Sequence, residues 1–271
     1  MIRTPFDLAL NTITIKYASI NEKIEMIKEA GFNCIELWSN EIQELISIDG
    51  NLNSFKELLN QHQMEILFVC PAPSYYPWHY DLTLLLLNDF KELFERSQAL
   101  GASGIVMPII GNIGTIPETI SNTQKLCDIA ASYNLVLGLE FIGSNRKLNT
   151  LESVLSVIEK VNRFNCKLVI DLFHVYRGNS NIKAIRRIDP ERIMVVHLDD
   201  SMSIPISNLI GTKHRVFPGD GIIPIMNWIK LIKETGYHGP FSVEVFNEDY
   251  WQRNTKEVCI EAFQKTTAFL K

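Results

Sequence analysis

The chain has 271 residues, 46% hydrophobic and 21% charged, with 14 Gly and 11 Pro, which excludes disorder, collagen-like repeats or a coiled-coil rod as its main organisation. A formal charge of −5 repels polyanions, so nucleic acid is not an expected partner. The longest strongly apolar run, Leu82 to Leu87, falls far short of the ~20 residues that cross a bilayer, so no membrane partner is expected either.

The opening Met1-Ile-Arg-Thr-Pro-Phe-Asp7 has no charged segment leading into an apolar signal core, which predicts a cytoplasmic protein. Five cysteines, Cys34, Cys70, Cys127, Cys166 and Cys259, are scattered and form no C-x-x-C pair. They suggest neither a disulfide framework nor a zinc knuckle.

Short apolar, β-branched runs recur along the chain, each followed by a longer stretch with helical spacing. Strands are predicted at Asp7–Leu10, Cys34–Trp38, Glu65–Cys70, Gly104–Ile109, Val136–Ile142, Lys167–Leu172, Ile193–Leu198 and Phe241–Phe246. Helical faces are clear in Leu151, Val154, Leu155, Ile158 and Val161, and again in Ile225, Trp228, Ile229 and Ile232. Pro117 and Pro224 suit a first helical turn, where a missing N–H costs nothing. Gly31, Gly101 and Gly236 each follow a helical stretch and suit the left-handed residue that caps its carbonyls. Eight strands alternating with helices predict an α/β fold, a (β/α)8 TIM barrel rather than an open doubly wound sheet. No linker or composition shift divides the chain, so residues 1–271 read as a single barrel domain with a C-terminal helix from about Thr255 to Leu270.

Barrel catalysts use groups at the carboxyl ends of strands, where the loops converge. The fifth predicted strand carries Glu140, the sixth ends in Asp171 followed by His174, the seventh ends in His197, and the eighth holds Glu244. A charge inside an apolar strand needs a compensating partner, and a divalent cation would satisfy all four residues at one point. Separate pairing of each acid with Lys or Arg is the alternative. Three carboxylates and one imidazole suit Mn²⁺, Co²⁺ or Zn²⁺.

Leu139-Glu140-Phe-Ile-Gly143, Ile170-Asp171-Leu-Phe-His174, Val196-His197-Leu-Asp-Asp200, His214-Arg215-Val-Phe-Pro-Gly219-Asp-Gly221 and Val243-Glu244-Val-Phe resemble, in order, motifs of the xylose isomerase-like barrels, a superfamily of sugar isomerases and epimerases. Within it the chain most resembles the inosose (2-keto-myo-inositol) isomerases. The match is close from about Ser132 onward; before that, Ile35-Glu36-Leu37 fits best.

The resemblance implies one divalent metal ion held by Glu140, Asp171, His197 and Glu244, with Glu140 and Glu244 as the acid/base pair. It also implies substrate contacts from His174 and Arg215, to which Glu36 and Trp38 are added. The implied partner is a small keto-polyol or sugar, and a homo-oligomer is allowed. Phe141 stands where the ketohexose 3-epimerases and hydroxypyruvate isomerases usually have Pro, which points toward inosose isomerisation. The loop Pro71–His79 does not match the family well.

Other residues have plainer expected roles. Trp78, Phe217 and Trp251 are either sugar-stacking rings or packing residues, and Cys70 is expected to be a small buried hydrophobe. Lys213 and His214 beside Arg215 read as a solvated loop, with an anion site as the alternative, and Asp199 or Asp200 as the group that orients His197. No glycines follow the eighth strand to cradle a phosphate, which favours an unphosphorylated substrate. Rival readings are a ketose 3-epimerase, hydroxypyruvate isomerase or keto-inositol dehydratase on the same scaffold, a non-catalytic sugar-binding barrel, and a nuclease of the endonuclease IV type. Six histidines are too few, and too poorly placed, to build the nuclease's multi-zinc cluster.

Overall fold

A computed structural model describes residues 7–271, so the segment read for a signal core lies almost wholly outside the described residues. The elements run, in order, β1 (Leu8–Asn11), α1 (Ile20–Ala30), β2 (Cys34–Trp38), α2 (Ser39–Asp49), α3 (Asn53–His62), β3 (Glu65–Cys70), α4 (Leu84–Ala99), β4 (Gly104–Ile109), α5 (Ile116–Ala131), β5 (Val136–Phe141) and α6 (Leu151–Val161). They continue with β6 (Cys166–Asp171), α7 (Leu172–Arg177), β7 (Ile193–Leu198), α8 (Ile225–Glu234), β8 (Phe241–Val243), α9 (Glu248–Trp251) and α10 (Thr255–Leu270). The eight strands close into a barrel in sequence order, every neighbour parallel. This is the predicted (β/α)8 architecture.

Local chemistry sets the boundaries. Ser19 and Glu22 form a reciprocal capping box at the start of α1, and Thr115 with Glu118 does the same for α5. Gly31, Gly101 and Gly236 follow helices at φ values of 115°, 79° and 89°, which a side chain would strain. Pro117 lies in the first turn of α5, whereas Pro224 stands one residue ahead of α8 as its N-cap.

Strand ends depart from expectation where a side chain captures the backbone. The Asp171 carboxylate accepts the His174 N–H at 2.7 Å, so Leu172 opens α7 instead of extending β6. The eighth strand stops at Val243, because the Val245 N–H donates to Thr14 Oγ1 at 3.1 Å rather than to a neighbouring strand. Glu244 therefore sits just beyond its strand.

Apolar residues form two layers. Between helices and barrel lie Ile24, Ile27, Phe90, Leu126, Val154 and Ile158, each worth about 1.5–3 kcal/mol when fully buried. Inside the barrel, Phe68, Val106, Val169, Met194 and Val195 form a plug. Gly138 belongs to that plug by what it lacks: a Cβ there would lie 2.4 Å from Met194 Cε and 2.7 Å from Val169 Cγ2. No helix among the described residues is long and apolar enough to cross a membrane.

Candidate metal centre

Strand register places the polar residues above that plug. Asp171 faces His197 across β6 and β7, Ser242 faces His197 from β8, and Glu140 follows Gly138 by two residues, the spacing that returns a side chain to the same face. One ligand atom from each of Glu140, Asp171, His197 and Glu244 lies within 4.8 Å of all the others. His197 Nδ1 is 3.4 Å from Glu140 Oε1, 3.4 Å from Glu244 Oε2 and 3.9 Å from Asp171 Oδ2.

All four residues are buried, and Glu140 Oε1 and His197 Nδ1 have no hydrogen-bond partner among the described residues. Buried acceptors crowded in this way repel one another, and unpartnered polar atoms are costly. A divalent cation relieves both penalties, so the residues present fit one. Oxygen and imidazole donors together suit Mn²⁺, Co²⁺ or Zn²⁺.

A layer of hydrogen bonds fixes these side chains from behind. His197 Nε2 lies 3.2 Å from Glu36 Oε1, which turns Nδ1 toward the carboxylates. Glu36 Oε2 accepts from Asn11 Nδ2 at 3.0 Å and Ser242 Oγ at 2.9 Å. The same Asn11 amide donates to Glu244 Oε1 at 3.0 Å, while its Oδ1 accepts from the Ile13 N–H and the Trp38 indole. Glu36 was expected on the substrate; it is wholly buried beneath the cluster and does not line the cavity above it.

Asp199 and Asp200 likewise differ from expectation, since neither bonds His197. Asp199 accepts from Arg215 and from the Phe173 N–H, and Asp200 gathers the N–H groups of Ser201, Gly219, Gly221 and Ile223. Asn11 was missed in the sequence. Its signal was the same as for the others, a polar residue closing an apolar strand.

Arg215 is the fixed cation of the site. Its Nη1 is 2.6 Å from Asp171 Oδ2, 2.6 Å from Asp199 Oδ2 and 3.1 Å from Glu244 Oε2. Its guanidinium carbon is 5.2 Å from the ring centroids of both Phe173 and Phe246. Arg215 comes from the two-residue strand Arg215–Val216, which pairs antiparallel with Asp200–Ser201. Because a guanidinium only donates, His174 Nε2, 3.2 Å from Nη2, accepts. Burial, reinforced by Arg215 and opposed by Asp171, lowers His174 to a pKa of about 4, so its imidazole is neutral.

The carboxyls are driven apart. Burial, with Glu244 and Asp171 beside it, lifts Glu140 to about 7 against the pull of His197. Burial would also raise Asp171, but Arg215, His174 and His197 hold it at about 2. Burial opposes charge on His197, yet Glu36 and Glu244 raise its pKa well above the ordinary value.

Above the cluster opens a cavity of about 720 Å³, walled by Trp38, Tyr76, Val106, Ile142 and Phe246. Glu140, Glu244, His174 and Arg215 reach it, as does Cys70. Burial first, and then Glu36 and Glu244, push the Cys70 thiol well above its usual range, so it is no nucleophile. The other candidate rings pack elsewhere: Trp78 donates to Pro108 O, Phe217 stacks on Tyr250 with centroids 4.4 Å apart, and Trp251 donates to Ile13 O. Lys213 is exposed, and His214 Nδ1 accepts the Ile210 N–H within its own loop.

The closed barrel, with a buried cluster of acids and imidazole at the carboxyl ends of its strands, defines a (β/α)8 protein built around a candidate cation site. Residues 24–265 match the family model described as xylose isomerase-like TIM barrel, and the chain belongs to that family. It is similar to an inosose isomerase of Bacillus velezensis, 26% identical over 263 residues, covering 94% of this chain and 93% of the relative. An inosose isomerase of Bacillus subtilis is 32% identical over 189 residues, 67% of each chain. Among solved structures, the IolI protein with a bound zinc atom superimposes with a TM-score of 0.90 at 25% identity, covering 97% of this chain and 98% of that one.

Proposed function

We propose that this chain is a divalent-metal-dependent isomerase of keto-polyols, with 2-keto-myo-inositol as substrate. The observation that carries this reading is the convergence of Glu140, Asp171, His197 and Glu244 at the floor of an open cavity, with two of their atoms lacking a hydrogen-bond partner among the described residues. Similarity to inosose isomerases supports the substrate, and the zinc in the IolI protein makes Zn²⁺ the first ion to test beside Mn²⁺ and Co²⁺. The helix α9 that follows β8 begins with Glu248 and Asp249, acids that oppose a substrate phosphate there.

Glu140, Asp171, His197 and Glu244 would hold the ion, which supplies Lewis-acid stabilisation of the negative charge that develops on the carbonyl oxygen. Glu140 or Glu244, as carboxylate, takes the proton from the carbinol carbon next to the carbonyl. The C–H electron pair becomes the double bond of an enediol as the carbonyl oxygen gains a proton. Reversal on the neighbouring carbon returns a proton to the former carbonyl carbon and removes one from the other hydroxyl, so the carbonyl has moved with no net oxidation. Arg215 and His174 line the cavity, and the hydrogen bond between Nη2 and Nε2 fixes both.

The test is proton exchange followed by NMR in D₂O on metal-loaded protein. It offers 2-keto-myo-inositol, D-fructose, D-tagatose and hydroxypyruvate in parallel, with Glu244→Gln as control. Deuterium next to the carbonyl and a new keto-inositol, both absent in the variant, are expected. Exchange with a ketohexose alone makes the protein an epimerase, loss of water from the keto-inositol makes it a dehydratase, and no exchange despite bound metal makes it a binding protein.

A further inference from the structure

The loop after β3 is held firmly at the mouth of the cavity. Residues Pro73–His79 form a 3-10 helix whose prolines at 73 and 77 restrict the backbone. The Ala72 N–H donates to Ser39 Oγ at 2.8 Å, Trp78 Nε1 donates to Pro108 O at 3.1 Å, and His79 Nε2 lies 2.8 Å from Ile110 O. Asn122 Nδ2 reaches Trp78 O, and the Tyr75 hydroxyl reaches Asp89 O with its ring edge-on to Phe90. Tyr75, Trp78 and His79 therefore each have a side-chain polar atom bound within the protein.

Tyr76 is different. Its half-buried ring lines the cavity, and its hydroxyl has no hydrogen-bond partner among the described residues. We propose that Tyr76 is a substrate-contacting, specificity-determining residue, whose hydroxyl donates a hydrogen bond to an oxygen of the keto-polyol held beside Glu140 and Glu244. This rests on the keto-polyol reading of the cavity. Burial raises the phenol pKa, and Cys70, Glu140 and Glu244 raise it further, which keeps the hydroxyl protonated and places the ring within the field of the cluster. The rigid loop means that little ordering is lost when the contact forms. An oxygen recognised in this way is selected by a loop that also walls the cavity, so Tyr76 adds to the choice of substrate made by Glu140, Glu244, His174 and Arg215.

The experiment compares wild type with Tyr76→Phe, which keeps the ring, in the D₂O exchange assay. Substrates are 2-keto-myo-inositol and its monodeoxy analogues, and Co²⁺ is titrated into both proteins. The expected result is a kcat/KM lowered roughly tenfold on the full substrate. With one deoxy analogue the two proteins should be equal, and Co²⁺ affinity should not change. Equal kcat/KM on every substrate overturns the proposal, as does a loss of Co²⁺ affinity that accounts for the lost activity. If wild type binds Co²⁺ but exchanges nothing, the isomerase reading fails by itself. Saturation-transfer NMR with 2-keto-myo-inositol then decides: weaker binding by Tyr76→Phe supports the contact, and equal binding, or none by either protein, overturns it.

Discussion

Glu36 Oε1 and His197 Nε2 meet at 3.2 Å inside the barrel, both side chains wholly buried, and this contact decides which imidazole nitrogen faces the three carboxylates. Outer hydrogen bonds of this kind commonly carry a factor of about 10–100 in metal affinity. Glu36→Gln keeps the shape and removes the charge, so Co²⁺ affinity should fall by roughly that factor. Competition against a chromogenic chelator measures it. An unchanged affinity would show that His197 is oriented by packing alone.

Arg215 is the cation that Asp171, Asp199 and Glu244 share, and it is nearly inaccessible to solvent. Arg215→Met retains apolar bulk between Phe173 and Phe246 but strands the carboxylates. Breaking a buried ion pair in this way costs about 3–5 kcal/mol. The urea midpoint of the metal-free protein should drop accordingly, and added Zn²⁺ should recover part of the loss. Arg215→Lys should also destabilise, because an ammonium cannot reproduce the planar fork.

Metal binding should release protons. Glu140 is raised from 4.5 to about 7, so the folded metal-free protein retains a proton there that the unfolded chain gives up. Its contribution to stability is complete below pH 4.5 and disappears as pH rises through about 7. His197 is held charged well above its ordinary pKa and must also lose a proton to bind through Nδ1. Affinity should therefore fall as pH is lowered through neutrality, roughly tenfold per unit for each proton displaced. Calorimetry at pH 7 in buffers of different ionisation enthalpy counts those protons, and a count of zero would remove Glu140 and His197 from the ligand set.

Gly138 leaves no room for a side chain. A Cβ there meets Met194 Cε, which can swing aside, but also Val169 Cγ2, which cannot. Gly138→Ala should cost about 1–3 kcal/mol from overpacking, and Gly138→Val more. Thermal unfolding measures this, and a paired Met194→Ala substitution should restore part of the loss.

Much of this protein was legible in one dimension. Alternating strand and helix patterns depend on neighbours a few residues apart, which is why the barrel order and α10 could be anticipated. Glu140, Asp171 and His197 stood out for the same local reason, each a polar group closing an apolar run. Strand ends were less legible at Asp171 and Val243, where a side chain diverts the backbone.

The roles of the surrounding residues were decided only in three dimensions. Asn11 and Glu244 are 233 positions apart in the chain, and Glu36 and His197 are 161 apart, yet each pair shares a hydrogen bond. No local pattern says that Glu36 serves His197 while Asp199 serves Arg215, or that the Tyr75 hydroxyl is bonded to Asp89 O while that of Tyr76 has no hydrogen-bond partner among the described residues. Barrel closure brings strands from both ends of the chain together. Hydrogen bonds act over about 3 Å regardless of sequence distance. The residue types that can bind a cation were thus written in the sequence, and the tertiary structure chose which would face it and which would hold the others in place.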